Sequence, residues 1–263
     1  TTQKKETAVS VEEVIVDITD GVMTITLNRP QAKNAVNKAV AVGVAKAIDE
    51  LESNPDIRVA IITGAGGTFC SGMDLKAFVS GEIPVVEGRG FAGLCEYSAS
   101  KPLICAVEGY ALAGGFELAI SCDLIVAAED ARFGIPEVKR GLAAGAGGLV
   151  KLPKQIPPRL AMELALTGDF ITSQRAYDVG LINQVVANGT ALEAAKALAG
   201  KIAANGPLAV AVSKQVVAKA QDWQTDTMFA EQQKLLEPVF VSEDAIEGAT
   251  AFAEKRPPVW KGK

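Results

Sequence analysis

Two glutamates stand out by their surroundings. Glu117 lies in Gly109-Tyr110-Ala111-Leu112-Ala113-Gly114-Gly115-Phe116-Glu117-Leu118-Ala119-Ile120, among small and apolar residues just inside a helix whose start is marked by two glycines. Burying an unpaired charge is costly or drives the group to take up a proton, so a lone acid there needs a partner or a task. A plainer alternative is a helix-start carboxylate satisfied by backbone amides. Glu137 ends Phe133-Gly134-Ile135-Pro136-Glu137, where a short strand is expected and Pro136 fixes the backbone. The path between the two acids runs out through a helix and a strand and back, which can bring Glu137 toward Glu117; the alternative is an exposed loop acid. In Thr68-Phe69-Cys70-Ser71-Gly72-Met73-Asp74-Leu75-Lys76 a helix opens near Asp74, leaving the N–H of Met73 free to point at a ligand. The glycines before Glu117 likewise expose N–H groups at a helix start. The run from Gly141 to Gly148 is too rich in glycine for a packing helix and fits backbone crowded against a ligand. Two donors, two carboxylates and no histidine suit chemistry that passes through an enolate, whose oxyanion must be held while protons move.

The absence of histidine in all 263 residues excludes Ser-His-Asp and Cys-His catalysis and His-ligated metals. Cys70, Cys95, Cys105 and Cys122 match neither a zinc spacing nor a redox pair and are expected as buried reduced thiols, so no metal site is predicted. A net charge of -5 offers no bulk field for nucleic acid or an anionic membrane. The polar, lysine-bearing start over residues 1–9 lacks an apolar stretch behind it, and the most apolar region, 102–128, is interrupted by Glu108, Glu117 and Asp123. These features predict no secretory leader, no membrane span and a cytoplasmic location. Gly88-Arg89-Gly90-Phe91-Ala92-Gly93 fits GxGxxG formally, but no acid ends a following strand at the distance ribose binding requires, so dinucleotide binding is disfavoured.

The elements that must position these residues follow from periodicity. Strands are predicted over 14–19 and 22–27, joined by the hairpin signal Asp20-Gly21, then a helix over 37–52 and buried strands over 59–63, 103–107 and 124–128. A short strand is expected at 83–86 and another at 182–186. Helices are predicted over 160–166, 173–179, 191–204, 207–221, 225–236 and 242–254. The outcome is an α/β chain with a sheet-rich first part and a helical C-terminal part.

Ile25-Thr26-Leu27-Asn28-Arg29-Pro30, residues 69–75 and 101–123, Phe133-Gly134-Ile135-Pro136-Glu137, Gly145-Ala146-Gly147-Gly148 and Phe252-Ala253-Glu254-Lys255-Arg256 together resemble the crotonase (enoyl-CoA hydratase/isomerase) family across essentially the whole chain. The resemblance implies a crotonase-like α/β spiral of ββα units over 1–200, holding an acyl-CoA site, and a helical trimerisation region over 201–263, assembled as a homotrimer or a dimer of trimers. It implies an oxyanion hole from the N–H groups of Met73 and Gly114. Glu117 matches the acid that activates water for attack at C3 and Glu137 the one that exchanges the C2 proton. Gly145 matches a water-holding amide. Lys33, Ser71, Asp74 and Leu75 match the region receiving the adenine end of CoA, with Phe252 and Lys255 approaching it, sometimes from a neighbouring subunit. No cofactor is implied, coenzyme A arriving as part of the acyl-CoA thioester substrate. The pair of acids favours enoyl-CoA hydration over isomerisation or thioester hydrolysis, and over a non-catalytic acyl-CoA-binding scaffold. Ala113, Ala144, Glu108 and Met73 depart from common family residues and bear on the substrate pocket. Segments 90–94, 242–248 and 258–263 look like the carnitinyl-CoA dehydratase subgroup.

Overall fold

The computed structural model describes residues 12–263; the polar start read above as lacking a leader lies outside them. In chain order the elements are β1 (Val14–Thr19), β2 (Val22–Leu27), α1 (Lys38–Ser53), β3 (Val59–Gly64), α2 (Leu75–Val79), β4 (Val85–Val86), β5 (Gly90–Phe91), β6 (Leu103–Val107), β7 (Tyr110–Leu112), α3 (Gly114–Ala119), β8 (Leu124–Ala128), β9 (Arg132–Gly134), α4 (Gly148–Gln155), α5 (Pro158–Thr167), β10 (Ile171–Thr172), α6 (Ser173–Asp178), β11 (Gln184–Val186), α7 (Ala191–Ala203), α8 (Pro207–Ala220), α9 (Met228–Phe240) and α10 (Glu243–Glu254). Short 3-10 helices cover Pro30–Ala32 and Pro136–Arg140. No helix among the described residues is long and apolar enough to cross a membrane.

The main sheet has the order β1-β2-β3-β6-β8-β11. Asp20 and Gly21 both take positive φ in the tight turn of the antiparallel β1-β2 hairpin, the conformation that makes Asp-Gly a hairpin signal. From β2 onward the pairings are parallel. Alternation along the strands serves both faces. Ala60, Ile62, Cys105 and Val107 point into the larger core beneath α1, whereas Val59, Ile61, Ile104, Ala106 and Val126 meet Ala191, Ala195 and Ala199 of α7. Small residues at every fourth position let α7 lie close on the sheet. Asn37 caps α1, its side chain accepting from Val40 N at 2.9 Å.

A second sheet, ordered β10-β9-β7, was not legible in advance and sets up the site. β7 and β9 run parallel with Leu112 opposite Gly134. Ala113 N donates to Gly134 O at 2.9 Å. The rings of Phe116 and Phe133 pack below this junction, 5.6 Å apart. Glu137 is not at a strand end as expected: β9 stops at Gly134, and Pro136, with its ring-fixed φ, starts the 3-10 turn that carries it. The GxGxxG segment forms the β4-β5 hairpin and its exit. Gly93 serves packing, since a Cβ there would lie 2.2 Å from Ala41 O on α1, while Gly88 supplies a positive φ in the turn.

A bridge between Val36 and Met73 holds the loop before α2. Val36 N donates to Gly72 O (2.8 Å) and Asp74 N to Val36 O (2.9 Å). Arg29 then pins this loop, pairing with Asp74 at 2.9 Å and with Glu13 at 3.2 Å while donating to Ala35 O. Asp74 caps α2 by accepting from Lys76 and Ala77 N–H groups. Burial pushes its pKa up, but those amides and Arg29 outweigh burial and hold it below the ordinary carboxylate value.

Beyond α7 the chain is differently built: α8 and α9 bury no residue. α10 is anchored through Asp244, whose carboxylate accepts from Lys261 N (2.7 Å) and Gly262 N (2.9 Å), and Trp260 donates to Ala204 O at 2.8 Å.

Two substitutions test these constraints. Ala113 sits at φ 52 and ψ -129, where an L side chain is strained. Ala113→Gly should relieve about 1 kcal/mol and raise the thermal midpoint by about 2–4 °C, measured by calorimetry. Arg29→Met leaves Asp74 without its counter-charge and should cost about 2–3 kcal/mol in a denaturant titration; an unchanged midpoint would show that the pair is dispensable.

Candidate active site

Glu117 lies on the first turn of α3, with its own N–H bound to Ala113 O at 3.0 Å. Only 2% of the residue is exposed. Its Oε1 accepts from Ala146 N and Gly148 N, both at 2.8 Å. The glycine-rich loop before α4 thus turns two consecutive-but-one amides onto one oxygen, and no partner holds Oε2 among the described residues. Both alternatives raised for Glu117 describe it: one oxygen is satisfied by backbone amides and the other is left to act. A Cβ on Gly148 would come within 3.1 Å of Oε1, so glycine there lets the loop close on the carboxylate. Burial raises the pKa of Glu117 above the ordinary value, opposed by the Gly148 and Ala146 amides and by the charge of Lys151.

Glu137 is half-buried, and its Oε2 is enclosed without a hydrogen-bond partner. Burial pushes its pKa up to about 6; its own backbone N–H and Arg140 work against that shift, and the charge of Glu117 adds to it. The β7-β9 pairing is what brings the two acids to one place, for it sets Gly134 beside Ala113 at the entrance to α3. A carboxyl with a pKa near 6 beside a carboxylate fixed by amides is an arrangement suited to exchanging protons with one bound molecule.

The two donors also converge. The bridge to Val36 uses the groups on either side of Met73, so the Met73 N–H faces the opposite way. Gly114 N, first in α3, lacks an intrahelical acceptor. Neither amide donates to an acceptor among the described residues. The Cβ direction of Gly72 ends 3.3 Å from Gly114 N and 2.9 Å from the Ala113 methyl, which places the two loops in contact. Such a pair can hold an anionic oxygen. Phe91 closes one side of Gly114, where a Cβ would meet its ring at 2.6 Å, and a Cβ on Gly115 would meet Cys70 O at 2.3 Å. These glycines are needed for packing as well as for exposing amides. Gly145, exposed and with nothing within 3.9 Å of its Cβ position, adjoins the two amides that hold Glu117.

Of the remaining residues, Lys33 and Ser71 meet through a bond from Ser71 N to Lys33 O at 3.1 Å, and Lys33 is exposed in a left-handed turn at φ 50. Leu75 follows, 46% exposed. The Asp74 side chain is committed to Arg29 and the α2 cap, its N–H donates to Val36 O and its carbonyl accepts from Phe78 N, both at 2.9 Å, so it shapes this loop rather than offering a free group. Phe252, 88% exposed, and Lys255 lie on and after α10; no hydrogen bond or ion pair joins them to Lys33 or to residues 71–75 among the described residues. Glu108, expected to bear on the pocket, instead accepts from Gly189 N and Ala191 N at 2.9 Å and caps α7. All four cysteines are free and buried. The amides of Ala146 and Gly148, the Arg29 clamp and Lys151 were missed in the sequence. The spacing of the glycines marked the loop, but not where its N–H groups aim.

The chain is similar to known proteins over nearly its whole length. An enoyl-CoA hydratase from Mycobacterium tuberculosis H37Rv is similar at 60% identity and a TM-score of 0.94, covering 96% of this chain and 100% of its own. A carnitinyl-CoA hydratase from Mycobacterium avium is similar at 45% identity and a TM-score of 0.77, covering 97% and 100%. Among curated proteins, the carnitinyl-CoA dehydratase of Salmonella typhi is 41% identical over 250 residues, 92% of this chain and 95% of that protein. Residues 17–263 match the family described as Enoyl-CoA hydratase/isomerase, and the chain belongs to that family.

Proposed function

We propose that this protein adds water reversibly across the double bond of a trans-2-enoyl-CoA to give the 3-hydroxyacyl-CoA, with Glu117 and Glu137 as its two catalytic carboxyls. The observation that carries the reading is the unequal treatment of the two acids: Glu117 is tied by two amides through one oxygen, while Glu137 keeps a buried oxygen without a partner. The thioester oxygen sits between the N–H groups of Met73 and Gly114. Water is held by Glu117 Oε2 and the Gly145 amide. As the water oxygen bonds to C3, Glu117 takes its proton and the double-bond electrons pass to the thioester oxygen; Glu137 then delivers a proton to C2. The oxyanion donors favour the enolate, and each contributes about 2.7–4 kcal/mol when aimed at developing charge. Isomerisation needs only one acid, and hydrolysis needs water at the carbonyl rather than at C3, so the fixed Glu117 favours hydration.

The CoA end is assigned to Lys33 and to the loop that carries Ser71, Asp74 and Leu75. Phe252 and Lys255 reach it from a neighbouring copy. In support, the 201–263 region has two helices without a buried residue and exposes Phe229, Phe240, Val241, Ile246 and Phe252. We assign this region to the contacts of a homotrimer or dimer of trimers, and residues 1–200 to the catalytic core. A carnitine-like thioester is the second reading, favoured by the names of the 41% and 45% identical relatives. Turnover across short, long and trimethylammonium-bearing acyl-CoAs decides between them.

Glu117→Gln and Glu137→Gln should each lower kcat for crotonyl-CoA hydration about 10²–10⁴-fold, followed by loss of the conjugated thioester absorbance without release of free thiol. Wild-type rates in both variants would overturn the assignment. Because burial raises Glu137 from 4.5 to about 6 in the folded chain, the native state binds the extra proton. Stability from that proton is complete below pH 4.5 and lost as pH rises through about 6. Glu137→Gln should therefore melt no higher than wild type at pH 4 and higher than it at pH 8; equal midpoints at both would show that Glu137 is not buried as described.

A further inference from the structure

Lys151 lies on α4. Its Nζ donates to Cys95 O at 2.6 Å and to Ser121 Oγ at 2.7 Å. Ser121 in turn donates to the main-chain oxygen of Glu117 at 2.7 Å. The lysine is half-buried, and burial lowers its pKa. Its two hydrogen-bond acceptors carry no charge. The groups facing it are Cys95 and Glu96 from the segment after β5, Glu117 from α3 and Cys122 from the turn after α3. Burial pushes the Cys95 thiol up to about 12, so it supplies no anion at neutral pH. The negative charges available to this ammonium are the carboxylates of Glu117 and Glu96.

We propose that Lys151 is a positioning residue for Glu117: through Ser121 it fastens α4, and with it the 145–148 loop, to the C-terminal turn of α3, and it presents a fixed positive charge to the carboxylate. The location is what gives the tie its reach. α4 begins at Gly148, whose amide is one of the two on Oε1, and the stem of Lys151 passes 3.2 Å from the Cβ direction of Gly147. One side chain therefore braces both the loop that holds the carboxylate and the helix that carries it. A cation there favours the ionised carboxylate, the form that accepts the proton of water. Truncating Lys151 lets the loop shift and withdraws that charge at once.

The inference rests on the catalytic reading of Glu117, and the test separates the two. The pH profile of kcat/KM is measured for wild type, Lys151→Gln, Lys151→Arg and Ser121→Ala, with Glu117→Gln as reference. In Lys151→Gln the acidic limb should move to higher pH by about one unit, with the loss in kcat larger at pH 6 than at pH 9. Lys151→Arg should restore the limb. Ser121→Ala keeps the charge but breaks the bridge, and should shift the limb in the same direction by less; it also decides the matter should Lys151→Gln fail to fold. A limb that superimposes on wild type, whatever happens to the melting temperature, overturns the proposal. Carboxyl ¹³C titration, with the Glu117 signal identified by its loss in Glu117→Gln, reads the tie without turnover. If Glu117→Gln stays active while that titration moves in Lys151→Gln, the catalytic reading fails and the tie stands.

Discussion

A single carboxylate oxygen accepting two backbone N–H groups is the contact on which the site turns. Glu117 is almost wholly removed from water, and the amides of Ala146 and Gly148 replace the solvation it loses. That replacement dictates much around it. The loop must come close enough for Gly148 to allow no side chain, α4 must begin where the loop ends, and α3 must enter the core at an angle set by the strained Ala113. Backbone groups cannot be exchanged by mutation, so the support of this acid is written in glycine positions and chain path more than in side-chain identity.

The remaining acid depends on pairing between strands. Leu112 opposite Gly134 is a short parallel contact, yet it sets the segment before Glu137 beside the entrance to α3, which carries Glu117. Phe116 from α3 and Phe133 from β9 pack against each other, tying the two segments together. Charge then acts between the two acids: the ionised Glu117 discourages ionisation of Glu137, and burial works in the same direction. Two identical side chains thereby acquire different environments, and with them different tendencies to hold a proton.

Much of this was legible before any coordinates. The hairpin, the buried parallel strands and most helices followed from periodicity, with ends displaced by a few residues; the 225–236 expectation became Met228–Phe240. Glu117 and Glu137 were singled out because an acid among small apolar residues is costly and an acid fixed by proline is unusual. What stayed hidden has a common cause. The strands β7 and β10 have only three and two residues, too few to show alternation, so the expected short strand that became β9 had no visible partners. Helix α4 starts at a glycine and contains Pro153, so local preference spoke against it and packing on α3 and α5 prevailed. The duty of Glu108 as a cap for α7 joins residues more than eighty positions apart, which no local pattern reports.

The four thiols are spread through one continuous core. Cys70 borders the loop that carries Met73, Cys95 lies beneath Lys151, Cys105 is on a central strand, and Cys122 is in the turn leaving α3. Each is buried, so an alkylating reagent reaches it only when the core around it opens. The chain therefore carries its own reporters of internal breathing, and a difference in labelling rate between Cys95 and Cys105 would report whether the packing around α3 and α4 loosens before the main sheet does.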